Sequence, residues 1–193
     1  MPTGYKIISE SVITSPTNHK HQLVDATVKL PGGKTAVWQY VRSRDVVGII
    51  ALTDDNSVYC VRQWRPTRKD YVWELPAGGV EAEHPSDKQV LDNANRELQE
   101  EIGMKADKLV ILAKFTPTIH IDSNYYVVLA TDLKPHSLPN DPVERLEIKT
   151  LPFDQAYNLL VNQQLPSALT LISLLLAKPH IFRVSKPDSN LTL

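Results

Sequence analysis

Residues 73–104 read WELPAGGVEAEHPSDKQVLDNANRELQEEIGM, and the rest of the chain is arranged around this stretch. Ser86 with Gln89 three residues on forms a capping box, so a helix starts there. Gly103 can take the left-handed conformation that ends it. Between these limits Leu91, Ala94, Leu98 and Ile102 recur at spacings of three and four, which at ~100° per residue makes one apolar stripe facing a core. Glu97 and Glu101 lie ~40° apart on the flank of that stripe, and Glu100 about 60° further round. Like charges at these spacings repel by roughly 0.2–0.5 kcal/mol per pair, and the negative end of the helix dipole adds to the repulsion. Arg96 alone cannot neutralise three carboxylates. A hard divalent cation can, because oxygen-only ligands suit Mg²⁺ or Mn²⁺, which keep several waters and also grip phosphate oxygens. The Pro76-Ala77-Gly78-Gly79 segment leads in, and its glycines let backbone approach a ligand or metal closely.

Composition narrows the alternatives. A chain of 193 residues can bury one sizeable core with an appended sheet, but not two large domains. Formal net charge is -1, the sequence pI is about 6.6, and no Lys/Arg block stands out. The electrostatic footprint of a nucleic-acid or anionic-membrane binder is therefore missing. Cys60 is the single cysteine, so no disulfide framework exists, which fits a reducing compartment. The first ten residues lack the apolar core of a signal peptide, and the apolar run at 168–177 is too short to span a bilayer. The expectation is a cytoplasmic protein with no membrane and no nucleic-acid partner.

On the N-terminal side, residues 5–14, 22–30 and 35–42 read as three strands, the last two joined by the turn PGGK. Such a small sheet needs another surface to pack on, either the catalytic domain or a second chain. Trp38 in the third strand is either a sheet-packing residue or a platform for a base. Val46–Leu52 and Ser57–Gln63, separated by TDDN, read as a buried hairpin. Arg62 and Arg65 stand at its end, and arginine is the natural fork for a diphosphate. YVWEL is a short strand entering the glycine turn.

On the C-terminal side, residues 108–116 and 125–133 read as strands around the loop PTIHIDSN, in which His120 is a loop residue. A proline-rich loop, a strand at 145–152 and two closing helices at 153–162 and 166–177 follow. Leu159, Leu160, Leu171, Leu174 and Leu175 are available for packing. The expected class is α+β: a mixed sheet between helices in an α/β/α sandwich, plus an N-terminal antiparallel sheet. The expected units are a sheet at 1–44, a catalytic domain at 45–180 and a tail at 181–193.

RELQEEIGM at 96–104 matches R-E-apolar-x-E-E-x-G-apolar, the second half of the Nudix box, and ELPAGG at 74–79 resembles the strand and loop preceding it in that family. The family's G-x5-E-x7-R spacing puts Lys88 where a glutamate belongs, in a longer loop. Glu81, Glu83 or Asp87 would have to pair with Arg96 in its place, or nothing does. PGGKTAVWQYV, VRQWRP, YVWELPAGG, LATDLKP, DPVERLEI and LPFDQAYNLL are similar to the ADP-ribose pyrophosphatase branch of the Nudix hydrolases. That resemblance implies hydrolysis of a nucleoside diphosphate sugar, with ADP-ribose going to AMP and ribose 5-phosphate, in a homodimer that exchanges its N-terminal sheets. It implies that Glu97 and Glu101 bind Mg²⁺ with the carbonyl of Ala77, that Glu100 shares metal or orients water, and that Arg96 braces the glutamates. It implies that Arg65 holds the diphosphate or its ribose, that Trp38 stacks the adenine from the partner subunit, and that Glu144 is the general base or a contributor to the metal site. Some relatives carry a second Trp where Lys20 stands here, so the base would be held on one face only, or by His19 or His21. The alternatives are a hydrolase of a GDP- or UDP-sugar, or a non-catalytic nucleotide-sugar sensor on the same scaffold.

Overall fold

The computed structural model describes residues 4–14, 21–140 and 144–181. The central sheet has the order β7 (Ala77–Gly79), β4 (Val46–Ala51), β10 (Tyr125–Pro135), β8 (Met104–Phe115). It is mixed: β4 runs parallel to β10, which is antiparallel to β8, while β7 is antiparallel to β4. The near-continuous apolar runs of β4 and β10 have a simple cause, since both faces are covered. Val47, Ile49, Tyr126, Val128 and Ala130 pack with Val90, Ala94, Leu98 and Ile102 of α1 (Asp87–Glu101) and its C-cap. Ile50, Val127 and Leu129 on the opposite face pack with α2 (Phe153–Val161) and α3 (Ala168–Ile181) through Phe153, Leu160, Leu169, Leu174 and Ala177. This is the α/β/α sandwich the periodicities predicted.

Several local expectations are corrected. The two apolar strands at 46–52 and 57–63 do not form a hairpin. β4 has both edges occupied by β7 and β10, so only an isolated Leu52–Val58 bridge joins it to β5 (Ser57–Arg65). The TDDN turn, with Asn56 in the left-handed region at φ 60°, passes the chain to a second antiparallel sheet, β11 (Glu147–Pro152), β5, β6 (Asp70–Glu74). The glycines after Pro76 form the short edge strand β7 rather than a free turn. Leu175 does not pack, being 60% exposed on the outer face of α3.

The N-terminal sheet comprises β1 (Lys6–Thr14), β2 (His21–Lys29) and β3 (Thr35–Ser43), and it gains a fourth strand. β9 (Ile121–Asp122), from the PTIHIDSN loop, runs parallel to β3, and Arg42 clamps it by donating to Asp122 at 3.2 Å. Ser123 Oγ and the backbone N–H of Asn124 then bond Arg44 O and Asp45 Oδ1, so the sheet is tied to the sandwich at the β3–β4 junction. Tyr5, Ile7, Ile8, Val12, Ile13, Val37 and Trp38 leave large apolar surface exposed on this sheet. The tail expected from residue 181 lies, from 182 onward, outside the described residues.

Candidate active site

The acidic helix is placed by its two ends. At its start Ser86 Oγ accepts from Gln89 N–H at 3.4 Å while Gln89 Oε1 accepts from Ser86 N–H at 3.0 Å. At its finish Ile102 N–H donates to Leu98 O, and Gly103 turns the chain with φ 68°. Asn95 bonds both the N–H and the C=O of Ala106, fixing α1 against β8. Leu138 N–H donates to Gln99 O, so the loop that leads on to Glu144 is attached to the end of the same helix.

That placement buries two of the three carboxylates. Glu97 is 9% exposed and Glu101 7%, on the flank between the core stripe and β7. Glu101 Oε2 accepts from the backbone N–H of Ala77 at 3.1 Å. Gly78 lies directly against Glu97: a Cβ built there would stand 2.0 Å from Glu97 Cδ. Glycine is therefore required by close approach to a buried carboxylate, not by an unusual φ. Burial pushes the Glu97 carboxyl up to about 7, opposed by the charge of Arg96 and assisted by Glu100 and Glu144. Burial, then the charge of Glu97, holds Glu101 well above the usual carboxylate range against the Ala77 N–H. Two acids in such a place cannot both ionise comfortably without added positive charge.

Arg96 supplies part of it. Its Nη2 donates to Glu97 Oε1 and its Nη1 to Glu100 Oε2, both at 2.5 Å, and Nη2 also reaches Asn93 Oδ1 at 3.1 Å. Of the three carboxylates expected to replace the missing box glutamate, Glu81 alone comes within 4.0 Å of Arg96. Lys88 instead pairs with Asp92 at 2.5 Å on the exposed side of α1. Among the described residues no three His, Cys, Asp or Glu side chains are arranged as a ready metal cage. Arg96 holds Glu97 and Glu100, and the remaining donors are oxygens of Glu101 and Glu144. Arg96 takes one oxygen each of Glu97 and Glu100, so their second oxygens, those of Glu101 and the carbonyl of Ala77 also make an all-oxygen set of the kind a hard divalent ion takes.

Arg65 and Glu144 share one hollow of about 320 Å³ with Glu74, Ala77, Gly78 and residues of α3. Arg65 is braced there by Glu74 Oε2, at 2.7 Å from Nε and 2.5 Å from Nη2. Arg62, three residues earlier and so on the other face of β5, is taken by Glu147 at 3.1 Å and lies over the Tyr71 ring. Trp38 is not in this hollow. It is 53% exposed, with the Tyr5 ring 6.1 Å away, and lines a separate hollow of about 1,280 Å³ that includes His120 and shares no residue with the first. Within one chain the structure brings together Arg65, Ala77 and Glu144 beside the glutamates of α1, and keeps Trp38 apart from them. His21 Nδ1 meets Ser43 Oγ at 2.8 Å, while His19 and Lys20 lie outside the described residues.

Sequence reasoning passed over Glu74, Tyr125, Ser167, Thr170 and Ser173, which also line the Arg65 hollow. Counting periods of two puts Glu74 on the Arg65 face of the paired strands β5 and β6, but the register sets Asp70 opposite Arg65, so the count alone does not single out Glu74. Thr170 and Ser173 gave a weaker sign, two hydroxyls at i and i+3 on the buried face of an apolar helix.

Comparison with known proteins agrees with this geometry. The NUDIX domain model matches residues 42–171. An ADP-ribose pyrophosphatase of Bacillus subtilis (strain 168) is 28% identical over 172 residues, 86% of this chain and 90% of that protein. An ADP-ribose pyrophosphatase of Mycobacterium tuberculosis (strain ATCC 25618 / H37Rv) is 34% identical over 110 residues, 55% of this chain and 51% of that protein. A crystal structure of an ADP compounds hydrolase superposes with a TM-score of 0.78 at 23% identity, covering 92% of this chain and 94% of that one, which establishes the shared fold. With a family model over two thirds of its length and the acidic helix end buried against a glycine strand, the chain belongs to the NUDIX domain family.

Proposed function

We propose that the protein hydrolyses the diphosphate of ADP-ribose or a related nucleoside diphosphate sugar, releasing a nucleoside monophosphate and a sugar phosphate, and that it needs a divalent cation to do so. The observation that carries this reading is the burial of Glu97 and Glu101 side by side, with Gly78 pressed against one and the Ala77 N–H on the other. The resemblance to an ADP-ribose pyrophosphatase over 86% of this chain and 90% of that protein supports the substrate class.

In this reading Glu97, Glu101, Glu100 and the carbonyl of Ala77 would hold Mg²⁺ or Mn²⁺. The ion would spread the charge of the diphosphate and make a bound water more acidic. Arg96 keeps Glu97 and Glu100 oriented. Arg65, held by Glu74, is positioned to meet a phosphate oxygen with its remaining N–H groups. Glu144, on the loop facing both buried glutamates, takes the proton from the attacking water. Trp38 serves the site of a second copy. The apolar surface left on β1 and β3, with Ile7 55% and Val37 59% exposed, supports a homodimer through the N-terminal sheet.

Purified protein incubated with ADP-ribose and Mg²⁺ or Mn²⁺ is expected to release AMP, and chelation to stop it. A parallel panel of GDP- and UDP-sugars ranked by kcat/KM identifies the base preferred. Absence of AMP with either metal overturns the reading. Light scattering checks the dimer.

A further inference from the structure

The hollow beside the buried glutamates has a wall that the reaction above does not use. Leu169 of α3 packs against Gly48, where a Cβ would meet Leu169 Cγ at 2.8 Å, and this close approach seats the N-terminal half of the helix over β4. Ser167, Thr170 and Ser173 thereby line the hollow opposite Ala77 and Gly78. Ser173 is 0% exposed, and its hydroxyl has no hydrogen-bond partner among the described residues. A serine inside a helix ordinarily satisfies its hydroxyl on the carbonyl one turn back, and an unpartnered buried hydroxyl costs stability that alanine would avoid. Alanine is serine without its hydroxyl oxygen, so it would fit the space Ser173 fills.

The chemistry of the hollow selects what would satisfy that hydroxyl. The Nε and one Nη of Arg65 are taken by Glu74, and Glu74 and Glu144 add carboxylate oxygens to the lining. An anion is matched only at the remaining N–H groups of Arg65, the part of the hollow given to the phosphate above, and elsewhere would meet those carboxylates. A polyol matches them, because each of its hydroxyls can donate to a carboxylate and also accept from a serine or threonine. A volume of about 320 Å³ lies at the small end of ligand sites, roughly 300–1,000 Å³, and suits one sugar ring.

We infer that Ser173 and Thr170 read the hydroxyls of the sugar in a nucleoside diphosphate sugar, and so set a preference for a sugar-bearing ligand over the bare nucleoside diphosphate. This rests on the nucleotide-sugar reading above and deepens it by naming the wall that recognises the sugar.

The test is a calorimetric titration of metal-free protein with ADP-ribose and, separately, with ADP. Wild type binds ADP-ribose more tightly. Ser173→Ala and Thr170→Val each cut that preference by about fivefold to tenfold, the worth of one neutral hydrogen bond, and leave ADP affinity unchanged. The melting temperature of Ser173→Ala stays level or rises, whereas a merely structural serine would lower it or alter both ligands alike. Three results overturn the inference: wild type binding ADP as well as ADP-ribose or neither, a variant keeping the full preference, or a variant losing both ligands equally. Hydrolysis with Mg²⁺ is scored apart. Turnover without a Ser173 effect sinks this inference alone, while a sugar preference without turnover sinks only the catalytic reading.

Discussion

Gly78→Ala tests the active-site assignment through a single methyl group. The new Cβ would stand 2.0 Å from Glu97 Cδ and 2.2 and 2.5 Å from its two oxygens, where ordinary contact begins at 3.4 Å. The carboxylate must therefore retreat by about 1.4 Å, the difference between 3.4 and 2.0 Å, or β7 must leave β4. Side-chain rotation is the cheaper course, and it breaks the 2.5 Å bond to Arg96 and removes Glu97 from the site. A misplacement of about 1 Å in a catalytic group costs on the order of 100-fold, or ~2.7 kcal/mol of transition-state stabilisation. Stability should change far less, because Gly78 has no left-handed φ and alanine lowers the entropy of the unfolded chain by ~0.4–1 kcal/mol. The expected outcome with ADP-ribose and Mg²⁺ is kcat down about 100-fold or more, with a melting temperature within a few degrees of wild type. Gly79→Ala is the internal control: its Cβ meets nothing within 4 Å, so its kcat should match wild type. If Gly78→Ala kept kcat within about threefold of wild type while remaining folded, Glu97 would not be part of the catalytic machinery.

Glu101→Gln preserves shape and the Ala77 N–H bond but removes a charge, so turnover should collapse while metal-free nucleotide binding, followed by calorimetry, persists. Equal turnover would exclude Glu101 from the chemistry. Ser86→Ala deletes the capping box and should cost ~1 kcal/mol, read as a lower midpoint in urea with an unchanged slope. In chelator, stability should fall as pH rises from about 4.5 to about 7, because native Glu97 holds its proton to about 7 whereas in the unfolded chain it ionises near 4.5. That difference is on the order of 3 kcal/mol, present in full below the window and lost above it. Glu97→Gln should reduce the slope in melting experiments at pH 5 and 7.5, leaving the part of the same sign that Glu101 contributes, and an identical slope in the variant would assign the effect elsewhere.

The helix end and its caps were legible in residues 73–104 because each rests on local rules: a side chain three residues from its backbone partner, a period of 3.6, a glycine after the last turn. The layering of the sandwich was readable for the same reason, since apolar runs covered on both faces imply helices above and below. Strand partners were not. The pattern of 46–63 fits a hairpin equally well, and what separates β4 from β5 is that β4's edges are claimed by β7 and β10, segments about thirty and eighty residues away.

Sequence alone therefore settled which groups carry charge and which side of the helix they occupy, because spacing along a helix is geometry shared by every chain. Folding in three dimensions settled how deeply Glu97 and Glu101 are buried, that Glu81 reaches Arg96 where Lys88 turns away, and that Ser173 lines the hollow without a partner among the described residues. Those facts depend on which distant backbone lies against each residue. Pairing between remote segments is a property of the whole packed chain, and no local pattern encodes it.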